Sequence, residues 1–278
     1  MSKFKVGDAV GVGCLGDSCH HCAPCDQGLE QYCENGFIGI YNGPEQGTGA
    51  NTYGDYSSHI VVRESFGLRV SHELKHLAAV APLLRAGITA YWPLHHWQIG
   101  PAHKVGIVGL GGLGHLGVKI AAALGAQVVL FTTSDNKRED ALRMGAKEVV
   151  RSNSETDMAT HAGSPDFILN TVAAPHNLDA FFQLLKLDGT MTLVGAPASP
   201  HPSPCVFNRI MKRRRLAGSL IGGIRETQDM LGFCAQHGIV SDIESIRMDE
   251  IESAYERMLK SDVKCRFVMD METLTAKA

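Results

Sequence analysis

"KVGIVGLGGLGHLGVKIAAALGAQVVLFTT", residues 104–133, is the stretch from which the fold is read. A short apolar run is followed by a glycine-rich turn, an amphipathic segment and a second apolar run. Continuous apolar strands joined through a helix belong to a parallel sheet covered on both faces. Gly109, Gly111 and Gly114 form G-x-G-x-x-G between the strand and the helix, the context that gives this spacing meaning. The first glycine permits a tight turn and the second lets the backbone approach a pyrophosphate. The third lets helix and strand pack closely, with the phosphates at the helix N-terminus. Leu110, Gly112 and Leu113 complete the loop. Further apolar runs, "AKEVVRS", "FILNTV", "TMTLVGA" and "LAGSLIG", follow between helical stretches. The expected class is therefore α/β, with a doubly wound parallel sheet.

The end of the second apolar run selects the nucleotide. An acidic residue there accepts from a ribose 2′-hydroxyl. Here the chain reads "FTTSDNKRE", so Thr132, Thr133 and Ser134 offer hydroxyls and Lys137 a cation. That group suits a 2′-phosphate and favours NADP over NAD. Asp135 is the competing residue, and its structural role would be to cap the next helix.

The flanks differ. Residues 5–13 and 56–62 read as strands, and residues 14–55 as a long irregular lobe that needs a staple. Five of the eight cysteines lie between Cys14 and Cys33. Cys19, Cys22, Cys25 and Cys33 are spaced C-x2-C-x2-C-x7-C, and four thiolates at such intervals can close a tetrahedron around one structural zinc ion. A bacterial ferredoxin run has a shorter final gap followed by proline, unlike this one. Cys14 reads as a packed residue, not a fifth ligand. No secretory signal or membrane-spanning run is legible, so the thiols are expected to be reduced, in the cytoplasm. Lys plus Arg number 26 and Asp plus Glu 29, for a net charge of −3, which argues against a nucleic-acid or membrane partner. The run "KRRR" at 212–215 reads as a solvated turn.

In this order, the motifs "GDAVGVGC", the four-cysteine lobe, "GITAYWPL", "GLGGLGHLGVKIA", "LNTVAAPHNL", "GTMTLVGAP", "GSLIGG" and "YERM" resemble the zinc-dependent medium-chain alcohol dehydrogenases. The resemblance is to their cinnamyl-alcohol-dehydrogenase branch, which includes bacterial NADP-dependent aldehyde reductases. It implies a Rossmann domain over residues 86–224 and an incomplete GroES-like catalytic domain over 1–85 and 225–278, with the zinc lobe at 14–36. It also implies that Thr89, Thr171, Gly195, Ser219, Leu220 and Ile221 line the cofactor. The implied substrate is an alcohol or aldehyde, and the implied assembly a homodimer through the nucleotide domain.

Against the family pattern the chain reads as truncated at its N-terminus, without the segment that supplies two catalytic-zinc ligands and a proton-relay hydroxyl. The third ligand, a Cys in the family, corresponds to Arg85 in "AVAPLLRAGITAYWPL", residues 79–94. A guanidinium stays protonated and cannot ligate zinc. No catalytic zinc ligand is therefore retained. The implied function is NADP-dependent hydride transfer between alcohol and aldehyde, and an NADP(H)-binding pseudoenzyme or a non-functional truncated product is the alternative.

Overall fold

The computed structural model describes residues 2–44, 49–54, 56–260, 262 and 265–274. The chain divides into two compact units, Thr89–Leu220 and the pair Met1–Ile88 with Ile221–Ala278.

The unit Thr89–Leu220 is built on a six-stranded parallel sheet. Its spatial order is Arg215–Gly218, Thr190–Leu193, Phe167–Asn170, Lys104–Val108, Gln127–Thr132, Glu148–Arg151. The first strand in sequence thus sits between the second and the fourth, and the chain reverses its direction of winding there. Ligands of doubly wound sheets bind at the carboxyl ends of the strands beside such a switch point. The apolar runs become central strands because both sheet faces are covered: Val105, Ile107, Val128, Leu130, Ile168 and Leu169 are wholly buried. One core cluster packs Phe131, Ile168, Phe182, Leu185 and Met191. At Gly106 a Cβ would come within 2.8 Å of the Phe131 ring, so the small residue leaves that ring its place.

Among its described residues the other unit carries four separate two-stranded sheets. Val10–Val12 pairs antiparallel with Gly67–Arg69, and Ile243–Arg247 pairs parallel with Arg266–Asp270. Its longest helix, Ile224–His237, ends at Gly238 in the left-handed conformation, φ +63°. Residues 56–62 form no strand, against the sequence expectation, and Val61 is fully exposed. Alternating residues make a strand only when a neighbouring strand accepts their hydrogen bonds. The strand expected over 5–13 shrinks to Val10–Val12 after a turn at Gly7, φ +95°.

From about Leu74 to Leu94 the sequence pattern reads as helical with a break at Gly87, but in the structure the break falls at Arg85. Short turns over Leu77–Val80 and Ala81–Leu84 end there, and Ala86–His96 is a separate helix. Gly87 lies inside that helix, where a Cβ would stand 3.1 Å from Leu83 and 3.2 Å from the Met230 sulfur. The run at 212–215 is also not simply solvated. Arg214 donates to the Leu185, Asn208 and Gln183 carbonyls, and Arg213 pairs with Asp188.

Limited proteolysis is expected to leave a core spanning about residues 89–220. One continuous sheet opens cooperatively, whereas isolated two-stranded pairs are marginal. Equal protection from end to end would contradict this.

Candidate nucleotide site and metal centre

The glycine loop follows Val108 at the carboxyl edge of the sheet. Gly109 has φ +87°, a conformation open to glycine at little cost. A Cβ on Gly114 would run into the Gly109 carbonyl oxygen, so the helix Gly114–Ala123 can start this close to the strand only without a side chain. A Cβ on Gly111 would meet nothing within 4 Å, which is the open face a pyrophosphate needs. His115 is fully buried, with its Nδ1 3.0 Å from the Gly111 carbonyl, so it braces the loop.

Thr171 follows the fourth strand and donates its hydroxyl to the Val108 carbonyl at 2.7 Å, bridging the switch point. Gly195 follows the fifth strand, and a Cβ there would strike the Val172 carbonyl. Ser219 follows the sixth strand, and its Oγ is buried without a hydrogen-bond partner. Thr89 is buried in the helix Ala86–His96. Leu220 is exposed, and Ile221 has φ +31°, unusual for a β-branched residue. An orphaned buried hydroxyl at Ser219 and an open glycine cradle both fit a dinucleotide.

The residues expected from the sequence to face a 2′-phosphate divide. Thr132 is buried and accepts from the Ser134 backbone N–H at 3.2 Å, so its oxygen turns inward. Thr133 is exposed and Ser134 half-buried. Lys137 reaches back to donate to the Leu110 carbonyl at 3.1 Å, which holds its ammonium against the glycine loop. Asp135 opens a short 3-10 turn, and no side chain caps that turn or the helix after it. The expected capping role for Asp135 is therefore absent.

In the lobe, the sulfurs of Cys19, Cys22, Cys25 and Cys33 all lie within 4.8 Å of one another. Cys19 and Cys25 are 3.9 Å apart, as are Cys22 and Cys33. A zinc tetrahedron with bonds of about 2.3 Å has edges of about 3.8 Å, so the thiols are placed to close on one ion. The His21 backbone N–H and the Asn35 side chain pull the Cys19 thiol down to about 5, while burial pushes Cys22 up. Cys14 stands outside the cluster.

Arg85 lines a cavity of about 340 Å³ together with Tyr41, Tyr56, Ser57 and Arg266. Arg266 was not singled out from the sequence. Its Nε is buried without a hydrogen-bond partner, and burial, with the Arg85 charge next, pulls its guanidinium below its usual value. Among the described residues no second cluster of metal ligands exists.

Residues 1–72 match the alcohol dehydrogenase GroES-like domain, and 112–236 the zinc-binding dehydrogenase domain. The chain is 63% identical over 275 residues to the aldehyde reductase YahK of Escherichia coli, covering 99% of this chain and 78% of that protein. The chain belongs to the zinc-dependent medium-chain alcohol dehydrogenases. Within them it falls in the cinnamyl-alcohol-dehydrogenase and aldehyde-reductase branch. It is 50% identical to an NADP-dependent alcohol dehydrogenase C of Mycolicibacterium smegmatis, again over 99% and 78% of the two chains. A cinnamyl alcohol dehydrogenase of Sorghum bicolor superposes with a TM-score of 0.95 at 40% identity, covering 99% of this chain and 78% of that one. The Helicobacter pylori enzyme complexed with NADP(H) superposes at 0.89 with 39% identity, covering 97% and 77%. The dehydrogenase family accounts for both the doubly wound sheet and the cysteine lobe.

Proposed function

We propose that this chain binds NADP(H) and carries out hydride transfer between the nicotinamide and a small alcohol or aldehyde. The observation that carries the reading is the glycine loop at the switch point, with Gly111 open and Thr171 tied to Val108. The 63% identity to an aldehyde reductase supports the reaction class. When bound, the nicotinamide supplies or takes the hydride. In this reading Gly109–Gly114 cradle the pyrophosphate. Thr133, Ser134 and Lys137 hold the 2′-phosphate, with Thr132 shaping their turn from inside. Thr89, Thr171, Gly195, Ser219, Leu220 and Ile221 line the rest of the cofactor. Cys19, Cys22, Cys25 and Cys33 hold one structural zinc ion.

A second zinc ion, acting as a Lewis acid on the substrate oxygen, does not fit the described residues. They offer one ligand cluster, and position 85 holds a guanidinium. The pseudoenzyme and truncated-product alternative is not favoured, since the relatives are dehydrogenases and reductases.

The test is NADPH oxidation with a cinnamyl-type aldehyde. NADPH should bind saturably, and any turnover should not rise with added zinc. Arg85→Cys alone should not raise the zinc content, because one thiolate is not a site. No saturable NADPH binding would sink the proposal.

The reading includes a homodimer through the nucleotide-binding unit. The edge strand Arg215–Gly218 is paired on one side, and Phe207, Ile210 and Met211 beside it in sequence are each more than half exposed. No single described helix is long and apolar enough to cross a membrane. The thiol-rich lobe suits the reducing cytoplasm.

A further inference from the structure

The segment 27–31 lies between two of the lobe cysteines, Cys25 and Cys33, and several of its polar contacts go to one place, the start of the helix Ile224–His237. Glu30 Oε2 accepts from the Ile224 N–H at 2.9 Å. The Gln31 side chain, 2% exposed, donates to Glu226 Oε2 at 3.3 Å, and that same oxygen accepts from the Gly223 N–H at 2.8 Å. Arg225 donates to the Gln27 carbonyl at 2.6 Å.

The glycines of the preceding turn have no room for a side chain. A Cβ on Gly223 would run into the Gly28 carbonyl. A Cβ on Gly222 would stand 2.7 Å from Ile88 and 3.1 Å from the Glu226 carboxylate. Ile221, immediately before them, is held at φ +31°. A β-branched residue keeps such a conformation only where its surroundings over-determine it. Two residues on, Gly223 packs against the Gly28 carbonyl of the cysteine lobe.

We propose that the metal lobe is the clamp that holds the Ile221–Gly223 turn in its cofactor-binding conformation, with Glu30 as the positioning residue. This rests on the reading of Ile221 as a cofactor-lining residue. The cysteines then act on NADPH affinity without touching the nucleotide. A turn that is released populates its binding-competent form only part of the time, and the apparent affinity falls by that fraction.

The experiment uses the full chain and compares Glu30→Ala, Glu30→Gln and Gly223→Ala. The readouts are NADPH titration, zinc content and amide hydrogen exchange at 221–226. Glu30→Ala should weaken NADPH binding about five- to tenfold and speed exchange at Ile224, with the zinc content unchanged. Glu30→Gln keeps a carbonyl oxygen to accept from Ile224 and should stay within about twofold of the unaltered chain. Gly223→Ala pushes the turn off the lobe from the opposite side and should reproduce the Glu30→Ala effect. Unchanged affinity and unchanged exchange in Glu30→Ala would overturn the proposal, as would a Glu30→Gln chain no better than Glu30→Ala. Failure of the unaltered chain to bind NADPH would instead overturn the function reading and, with it, the clamp's role in binding. The exchange rates are an independent measure of the clamp itself.

Discussion

A purified, metal-replete chain should carry one zinc ion, and Cys19→Ser should empty that site. The four sulfurs already stand at the spacing of a zinc tetrahedron, with Cys19 and Cys25 3.9 Å apart. Three thiolates and a hydroxyl bind zinc far more weakly, since the ion prefers soft anionic ligands. Apart from the hydrogen bonds of residues 27–31 to the start of the helix Ile224–His237, the lobe has little else to hold it. Its helix Ala23–Asp26 buries no residue, and its strand Leu15–Asp17 pairs with a two-residue partner. Apparent zinc-binding energies in small structural sites run to about 10–16 kcal/mol, and that energy is also folding energy. Loss of the metal should therefore loosen about residues 14–36 as a block, visible as rapid hydrogen exchange there, while the sheet of Thr89–Leu220 keeps its protection. Elemental analysis giving two tightly held zinc ions per chain would contradict the one-site reading. Full zinc retention by Cys19→Ser would remove Cys19 from the ligand set.

NADPH should bind well ahead of NADH, and Lys137→Ala should erase most of that margin. The strand Gln127–Thr132 ends without an acidic residue to hold a 2′-hydroxyl. Beyond it stand the exposed Thr133, the half-buried Ser134 and the Lys137 ammonium, already tethered to the Leu110 carbonyl at 3.1 Å. A hydrogen bond to a charged partner contributes about 1.5–3 kcal/mol, equivalent to roughly ten- to a hundredfold in affinity. Lys137→Ala should cost NADPH a factor in that range and leave NADH nearly unchanged, because NADH has no phosphate at that position. Titrations that give equal affinities for the two nucleotides in the unaltered chain would rule out the assignment. A Lys137→Ala chain that loses both nucleotides equally would instead make Lys137 a brace of the glycine loop.

The glycine loop of the candidate nucleotide site is legible in the sequence. Gly109, Gly111 and Gly114 are five positions apart at most; Gly109 takes a positive φ and Gly114 lies against the Gly109 carbonyl, while Gly111 leaves an open face. The cysteine lobe was legible for the same reason: ligand spacing along a short loop limits which sulfurs can meet. The hydroxyl group was legible only in part. Three consecutive hydroxyl residues look equivalent in a sequence, yet Thr132 faces inward at a strand end and Thr133 faces out, because strand side chains alternate.

Local patterns, read run by run along the chain, therefore set the doubly wound half, its glycine loop and the cysteine lobe. They also set Arg85 in place, a guanidinium that stays protonated and cannot ligate a metal. Folding in three dimensions settled the rest. Arg85 shares a cavity with Arg266, and Glu30 meets Ile224, across separations no local pattern encodes. The same holds for the failure of residues 56–62 to become a strand and for the helix break at Arg85 instead of Gly87. Alternation along a chain sets which face a residue prefers. Whether that face is buried, paired or left to solvent depends on which distant backbone arrives beside it, and hydrogen bonds and close contacts form only with what arrives.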